Sequence, residues 1–359
     1  MTLTFSHTTA AQRVHFGAGR APEHVRAEVE RAGAARVMLI AGGSSAAVAA
    51  RITEGVPVAL VWTDVAQHVP VEAAIRAREA AASAAVDLLV CVGGGSTVGM
   101  AKAVALTHPV PIIAVPTTYA GSEATDVWGL TENGRKTTGS DSRVLPAAVV
   151  YDVTLTAGLD PRTAVASALN GVAHCVDSFW APRADPLNAT LGGEGLRALA
   201  IGARAMAADP AQESGRESAQ YGAYLAAVAF ASAGSGMHHK ICHALGGTLG
   251  LPHAETHAVV LPHVAAFNLP ASPDARRRIS AALAGESAGH GADALGSLHA
   301  LYSDVGAPRA LRELGMREQD IALAVDVILP TIPPSNPRPV DGRALAALLT
   351  DAWAGGAAG

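Results

Sequence analysis

Up to Asp152 the hydrophobic residues fall in short continuous runs rather than in alternation with polar ones. Arg13–Phe16, Val37–Ala41, Val58–Trp62, Leu88–Val92, Ile112–Val115 and Ala148–Tyr151 read as strands. Between them Ala21–Gly33, Ser44–Ile52, Val71–Ala84 and Thr97–Leu106 have helical composition. Strands buried on both faces appear as unbroken apolar runs, and alternation of strand and helix predicts a parallel sheet with right-handed crossovers. An open sheet of this kind binds its ligand at the carboxyl ends of the strands. Glu132-Asn133-Gly134 signals a hairpin turn, which makes Val127–Thr131 and Arg135–Thr138 a small antiparallel pair beside the main sheet.

The pattern changes after Tyr151-Asp152. Asp160-Pro161 is an N-cap followed by proline at the first helical position, and Ser272-Pro273 repeats the signal. From there helical runs dominate: Pro161–Trp180, Leu187–Met206, Ser214–Ala233, Met237–Thr248, Ser272–Leu283, Ala292–Val305, Glu318–Ile328 and Gly342–Trp353. The expected organisation is an α/β domain over residues 1–154 and an all-helical domain over 155–359, with no repeat of fixed period.

Composition narrows the function. The chain has 359 residues, 50% apolar and 16% charged, with a formal charge of −5 and no basic block. A nucleic-acid clamp is excluded on that ground. Cys91, Cys175 and Cys242 lie far apart without a CxxC, so neither a disulfide scaffold nor a thiolate zinc ribbon is expected, and a reducing cytoplasm is. The start, MTLTFSHTTAAQRVHF, has no signal-peptide core, and the apolar stretch Tyr224–Gly236 is too short to span a bilayer. No membrane association is expected.

Two loops carry candidate chemistry in the first half. Leu89 to Thr97 runs from a buried strand into a helix through Gly93, Gly94, Gly95 and Ser96. Glycines let the backbone approach an anion, and the helix start presents unpaired N–H groups to it, which suits a pyrophosphate. A plain tight turn would read the same way, and the spacing is not GxGxxG, so an ordinary Rossmann dehydrogenase fits poorly. The run Pro116-Thr-Thr-Tyr-Ala-Gly-Ser-Glu-Ala-Thr125 follows the next strand, and its hydroxyls would line the same crevice or satisfy their own backbone.

The second half is marked by histidine. Six of fourteen fall between residues 238 and 263, namely His238, His239, His243, His253, His257 and His263. His239 and His243 are four apart on one helix, so their rings share a face, and Asn170 and His174 repeat that spacing earlier. Such pairs on an apolar, low-charge background point to a functional cleft and are the raw material of a first-row metal site. A divalent catalytic site normally includes a carboxylate, however, and Asn170 is neutral. Asp177, three residues past His174, is an acid that could in principle substitute. Spacing leaves metal occupancy open.

With these motifs in this order, the chain resembles the iron-containing alcohol dehydrogenase family, which also includes glycerol dehydrogenases and, more distantly, dehydroquinate synthases. The similarity runs from Arg13-Val-His-Phe-Gly-Ala-Gly19 to at least His263. It implies an N-terminal dinucleotide-binding α/β domain, an all-α C-terminal domain, a catalytic cleft between them, and a homodimer. The family's metal ligands, an Asp and a His four apart and two later His, fall on Asn170, His174, His239 and His253, so three match and the carboxylate does not. His243 falls on an additional active-site histidine of the family.

Within the family the maleylacetate reductase subgroup is most similar, through PTTYAGSE and Asn-x-x-x-His, with shorter matches at His68-Val-Pro70, Val150-Tyr-Asp152 and Asn336-Pro-Arg338. That resemblance implies NADH- or NADPH-dependent reduction of maleylacetate, a small dicarboxylate, to 3-oxoadipate in aromatic catabolism, without an obligatory metal. Replacing an acidic ligand by Asn170 also removes a repulsive charge beside a dianion, which protonated imidazoles would attract.

The roles expected on this basis divide between the halves. Gly93, Gly94, Gly95, Ser96 and Thr97 hold the pyrophosphate, and Thr117, Thr118 and Ser122 contact the nicotinamide side. Asn170, His174, His239 and His253 bind substrate, with His174 and His239 stabilising enolate or carboxylate. His243, His253 or Tyr119 donates the proton, and the choice among them stays open. Lys240 and Arg338 are further carboxylate partners or merely solvated charges. NAD-preferring relatives carry an acid after the strand that here reads Met38 to Ser44, where Gly43 stands, so both nucleotides are expected to be accepted. The alternatives are a metal-dependent alcohol or aldehyde dehydrogenase of the same fold, a lyase of dehydroquinate synthase type, and a catalytically silent binding protein.

Overall fold

The computed structural model describes residues 3–67, 69–132, 135–284 and 293–356. The chain forms two compact units, Ala10–Leu159 and Met1–Thr9 with Asp160–Gly359. Pattern alone placed the division near residue 155. The turn after Tyr151 stays with the first unit because the buried Asp152 carboxylate accepts N–H bonds from Gly19, Ala21 and Thr154. The segment before Ala10 is tied to the second unit by His7 Nδ1, 2.8 Å from Asp185 Oδ2.

The first unit runs β1 (Arg13–Phe16), α1 (Ala21–Ala32), β2 (Val37–Ile40), α2 (Ala46–Ile52), β3 (Val58–Trp62), α3 (Val71–Ser83), β4 (Leu88–Gly93), α4 (Gly95–Ala105), β5 (Ile112–Pro116), β6 (Val127–Glu132), β7 (Arg135–Ser140) and β8 (Ala148–Tyr151). Six strands form one sheet in the order β1-β8-β5-β4-β2-β3, every neighbouring pair parallel. The expected strands all form. β2, β4, β5 and β8 are buried along their whole length, which is why they read as unbroken apolar runs. β6 and β7 pair antiparallel as a separate ribbon. The Asn133-Gly134 turn lies outside the described residues.

The second unit contains α5 (Pro161–Ser178), α6 (Pro186–Ala208), α7 (Glu213–Ala233), α8 (Met237–Leu249), α9 (His253–Asn268), α10 (Pro273–Leu283), α11 (Ala294–Asp304), α12 (Asp320–Ile328) and α13 (Gly342–Ala354). Asp160 caps α5 through the Thr163 N–H, and Asp185 with Asn188 forms a reciprocal capping box on α6. Small residues bring α6 and α7 to backbone contact. A Cβ on Gly202 would lie 2.7 Å from the Ala219 nitrogen.

Eight of these helices match the expected ones to within about two residues, although Ala292, the expected start of α11, lies outside the described residues. The ninth, α9, was not expected. It is apolar nearly all round, buried over most of its length, and carries Pro262 in its interior. A helix without a polar face has no amphipathic period, and proline reads as a breaker.

Candidate active site

In the first unit a cradle is built from backbone. β4 ends at Gly93, Gly94 caps α4, and the helix starts without a side-chain cap, leaving its first N–H groups to an anion. Gly93 has φ 155°, which few L side chains adopt, and a Cβ there would lie 2.8 Å from Thr97 Cβ. A Cβ on Gly94 would lie 2.9 Å from Thr118 Cγ2. The Thr117 N–H donates to the Gly93 carbonyl at 3.1 Å, joining the second loop to the first. The structure therefore brings Gly93, Gly94, Thr97, Thr117 and Thr118 together, with glycine required where the backbone packs against Thr97 and Thr118.

Two residues that the sequence reading missed shape this loop. Lys102 is wholly buried on α4, and its Nζ donates to the carbonyls of Ser122 (2.6 Å), Thr125 (2.8 Å) and Val127 (2.8 Å) and to Thr125 Oγ1 (3.0 Å). Burial pushes its pKa down to about 7. Glu123, also buried, accepts from Tyr151 Oη at 2.7 Å, and burial raises its pKa. A single lysine inside the apolar run Val98–Leu106 was the signal available. Tyr119, a proton-donor candidate, is 1% exposed.

In the second unit three helices bring six imidazoles together. Asn170 and His174 lie buried on α5, His238, His239 and His243 on α8, and His253 and His257 in the first turns of α9. The His174 ring stacks on His239 at 5.0 Å and on Phe230 at 4.7 Å between centroids. His253 lies 4.4 Å from His257 and 6.2 Å from His243. The exposed faces belong to His243 and His253. His263, on the same helix, is not part of the cluster.

Asp177 organises the floor. Its carboxylate accepts from the Gly236 N–H (2.8 Å), Trp180 Nε1 (3.0 Å) and His239 Nδ1 (2.8 Å) at the start of α8. A Cβ on Gly236 would lie 2.8 Å from Asp177 Cγ, so glycine is required for this approach. Donation from Nδ1 fixes the His239 tautomer and leaves Nε2 as an acceptor. His238 Nε2 and His257 Nδ1 share a hydrogen bond at 2.9 Å, with Cys242 Sγ 3.7 Å from the former. Asn170 Oδ1, His174 Nδ1 and His239 Nε2 are buried without a hydrogen-bond partner among the described residues.

Burial sets the charges. It pushes His174 down to about 3 and holds His238, His239 and His257 well below 6.5. The expectation that protonated imidazoles attract the dianion therefore does not apply to these four rings, which are neutral near pH 7. Lys240 is half-buried, and the Arg338 guanidinium lies 4.3 Å above the Phe267 ring. Asn336 exchanges amide hydrogen bonds with Asn268 at the end of α9. His68 lies outside the described residues.

The family's metal would lack its carboxylate ligand here. Asn170 stands where a carboxylate would offset the cation, and the Asp177 carboxylate is already committed to three donors. Among the described residues, the one group of three or more His, Cys, Asp or Glu side chains with all ligand atoms within 4.8 Å is His238, Cys242 and His257, not His174, His239 and His253. Of those three, His238 Nε2 and His257 Nδ1 are engaged with one another.

Comparison with known proteins agrees with this architecture. Residues 11–153 match the model "Iron-containing alcohol dehydrogenase", and residues 164–353 match "Fe-containing alcohol dehydrogenase family, C-terminal". The maleylacetate reductase of Pseudomonas knackmussii is 43% identical over 98% of this chain and 99% of its own. An iron-containing alcohol dehydrogenase structure from Corynebacterium glutamicum superposes with TM-score 0.95 at 52% identity, covering 98% of each chain. The maleylacetate reductase structure from a Rhizobium strain gives 0.92 at 38%, covering 99% of this chain and all of that one. The chain belongs to the iron-containing alcohol dehydrogenase family and groups within it with the maleylacetate reductases.

Proposed function

We propose that this oxidoreductase reduces the C=C bond of maleylacetate to give 3-oxoadipate, and that it does so without an obligatory metal. The observation that carries the second part is Asn170, a neutral amide at the family's carboxylate position, on the same helix as an Asp177 carboxylate already engaged in hydrogen bonds. The full-length similarity to maleylacetate reductases supports the first. NADH or NADPH, when bound, supplies the hydride that adds to the carbon β to the ketone. Charge then develops on the enolate oxygen and the α carbon takes a proton, a path that hydrogen-bond donors and one well-placed acid can support.

The chain's own groups divide this work. The Gly93–Thr97 cradle holds the pyrophosphate, and Thr117, Thr118 and the Ser122 hydroxyl orient the nicotinamide side. Asn170 offers the substrate a donor and an acceptor with no added charge. His174 is a neutral donor for enolate or carboxylate. Asp177 holds His239 in the tautomer that leaves its neutral Nε2 as an acceptor. The exposed His243 and His253 are the stronger candidates for proton donor, because Tyr119 is only 1% exposed. The absence of an acid at Gly43 supports use of both nucleotides. Cys91, Cys175 and Cys242 are free and buried, which supports a reducing cytoplasm, and the family resemblance supports a homodimer.

The test is loss of nicotinamide absorbance with freshly prepared maleylacetate after exhaustive EDTA treatment, with elemental analysis of the same sample. Retained turnover in metal-free protein is expected. A stoichiometric cation whose removal abolishes turnover would overturn the proposal in favour of a metal-dependent alcohol or aldehyde dehydrogenase, which the name of the 52% identical Corynebacterium relative favours.

A further inference from the structure

The helical unit contains a cavity of about 330 Å³ that none of Asn170, His174, His239, His243 or His253 lines. It lies among the second half of α9, the end of α11 and the close of α13. We propose that it is a second ligand site, for a small carboxylate with an apolar body. Its polar groups are His263, His299, Tyr302, Ser303 and Arg309, and no lining residue is acidic. Val259, Pro262 and Pro308 supply apolar walls.

Two observations point to this ligand, at a wall that the 8% exposed Tyr302 helps to line. Arg309 is exposed at the cavity and makes no ion pair or hydrogen bond with the described residues, so its planar fork is available for bidentate capture of a carboxylate. Gly355, left-handed at φ 72°, ends α13, and a Cβ there would meet Ala310 Cβ at 3.0 Å and the Arg309 carbonyl at 3.4 Å. Glycine thus lets the Arg309 segment lie against the helix end.

His263 is 6% exposed and held neutral by burial, with a pKa pushed down to about 4, so it offers a hydrogen bond rather than charge. A lone guanidinium in a half-apolar chamber favours a monocarboxylate over phosphate, and its charge disfavours a metal cation. The volume is at the small end for organic ligands. This site does not rest on the reductase reading, since its occupancy is read without turnover.

Isothermal titration of the full chain with sodium benzoate tests it, alongside benzamide and inorganic phosphate. Saturable benzoate binding at about 1 mM or tighter is expected. Arg309→Gln should weaken it about tenfold or more, and Ala307→Phe, which fills the chamber, should abolish it. Both variants should keep the wild-type circular dichroism, and Arg309→Gln should keep wild-type turnover with maleylacetate. Absence of saturable binding, binding untouched by Arg309→Gln, or equal affinity for benzamide or phosphate would each overturn the proposal.

Discussion

The two candidate sites are made of different materials. In the α/β unit the cradle at Gly93–Thr97 is backbone held at contact distance, with Lys102 gathering the loop from beneath. In the helical unit the cluster around His239 is made of side chains, and its chemistry comes from burial and from one carboxylate at a helix start. The first is expected to fail when volume is added, and the second when a hydrogen-bond partner or a ring is lost.

The largest effect should come from removing exposed rings. His243→Ala and His253→Ala are expected to lower kcat by about 10²- to 10⁴-fold, as for loss of a general acid, in steady-state assays with either nucleotide. Near-normal turnover in both variants would discard the assignment of the proton donor to this end of the cluster. Asp177→Asn sharpens the comparison from within. With the charge-assisted bond to His239 lost, kcat should fall about 10- to 100-fold, with little change in KM and an altered pH profile. A variant that only loses thermal stability would make Asp177 a purely structural cap.

The cradle is probed by volume. Gly93→Ala should raise KM for NADH about tenfold or more, because the added Cβ collides with Thr97 at an unfavourable φ. Gly95→Ala, whose Cβ would have ordinary contact at 3.6 Å with Ala120, should stay near wild type. Equal effects at the two positions would refute a steric origin.

Acid sensitivity distinguishes the units by a smaller effect. A histidine in the unfolded chain takes its proton near pH 6.5, whereas buried His174 does not until about 3 and His263 until about 4. Between those values the unfolded chain binds more protons, so stability is full above pH 6.5 and falls as pH drops. Each group contributes a slope of up to about 1.4 kcal/mol per pH unit. Denaturant melts of His263→Gln should show a shallower fall than wild type between pH 6.5 and 4, and an unchanged slope would contradict its buried neutral state. Smallest of all, kcat/KM for NADH and NADPH should differ by less than about a hundredfold, roughly 2.7 kcal/mol. A larger preference would show that some group other than the missing acid at Gly43 selects the nucleotide.

The legibility of the two units follows from the same contrast. The inner strands of the parallel sheet are short and buried on both faces, so Val37–Ile40 and Leu88–Gly93 announce themselves locally, and the glycine loop follows from strand and helix meeting. The Asn170/His174 and His239/His243 pairs are visible for the same reason, since helical spacing is local. α9 is not visible, because a helix buried all round loses its polar stripe and Pro262 imitates a break. With α9 unread, His257 and its bond to His238 had no place, and neither did the separation of His263 toward His299.

What the amino-acid order determined here is whatever depends on neighbours within one element: strand runs, caps such as Asp160-Pro161, the glycine loop, and the spacing of ring pairs. The tertiary structure alone decided which ring nitrogens are orphaned, that the Asp177 carboxylate meets His239, and that Lys102 is buried under a loop twenty residues away. Desolvation and hydrogen bonding depend on which atoms surround a group, and those atoms come from distant parts of the chain.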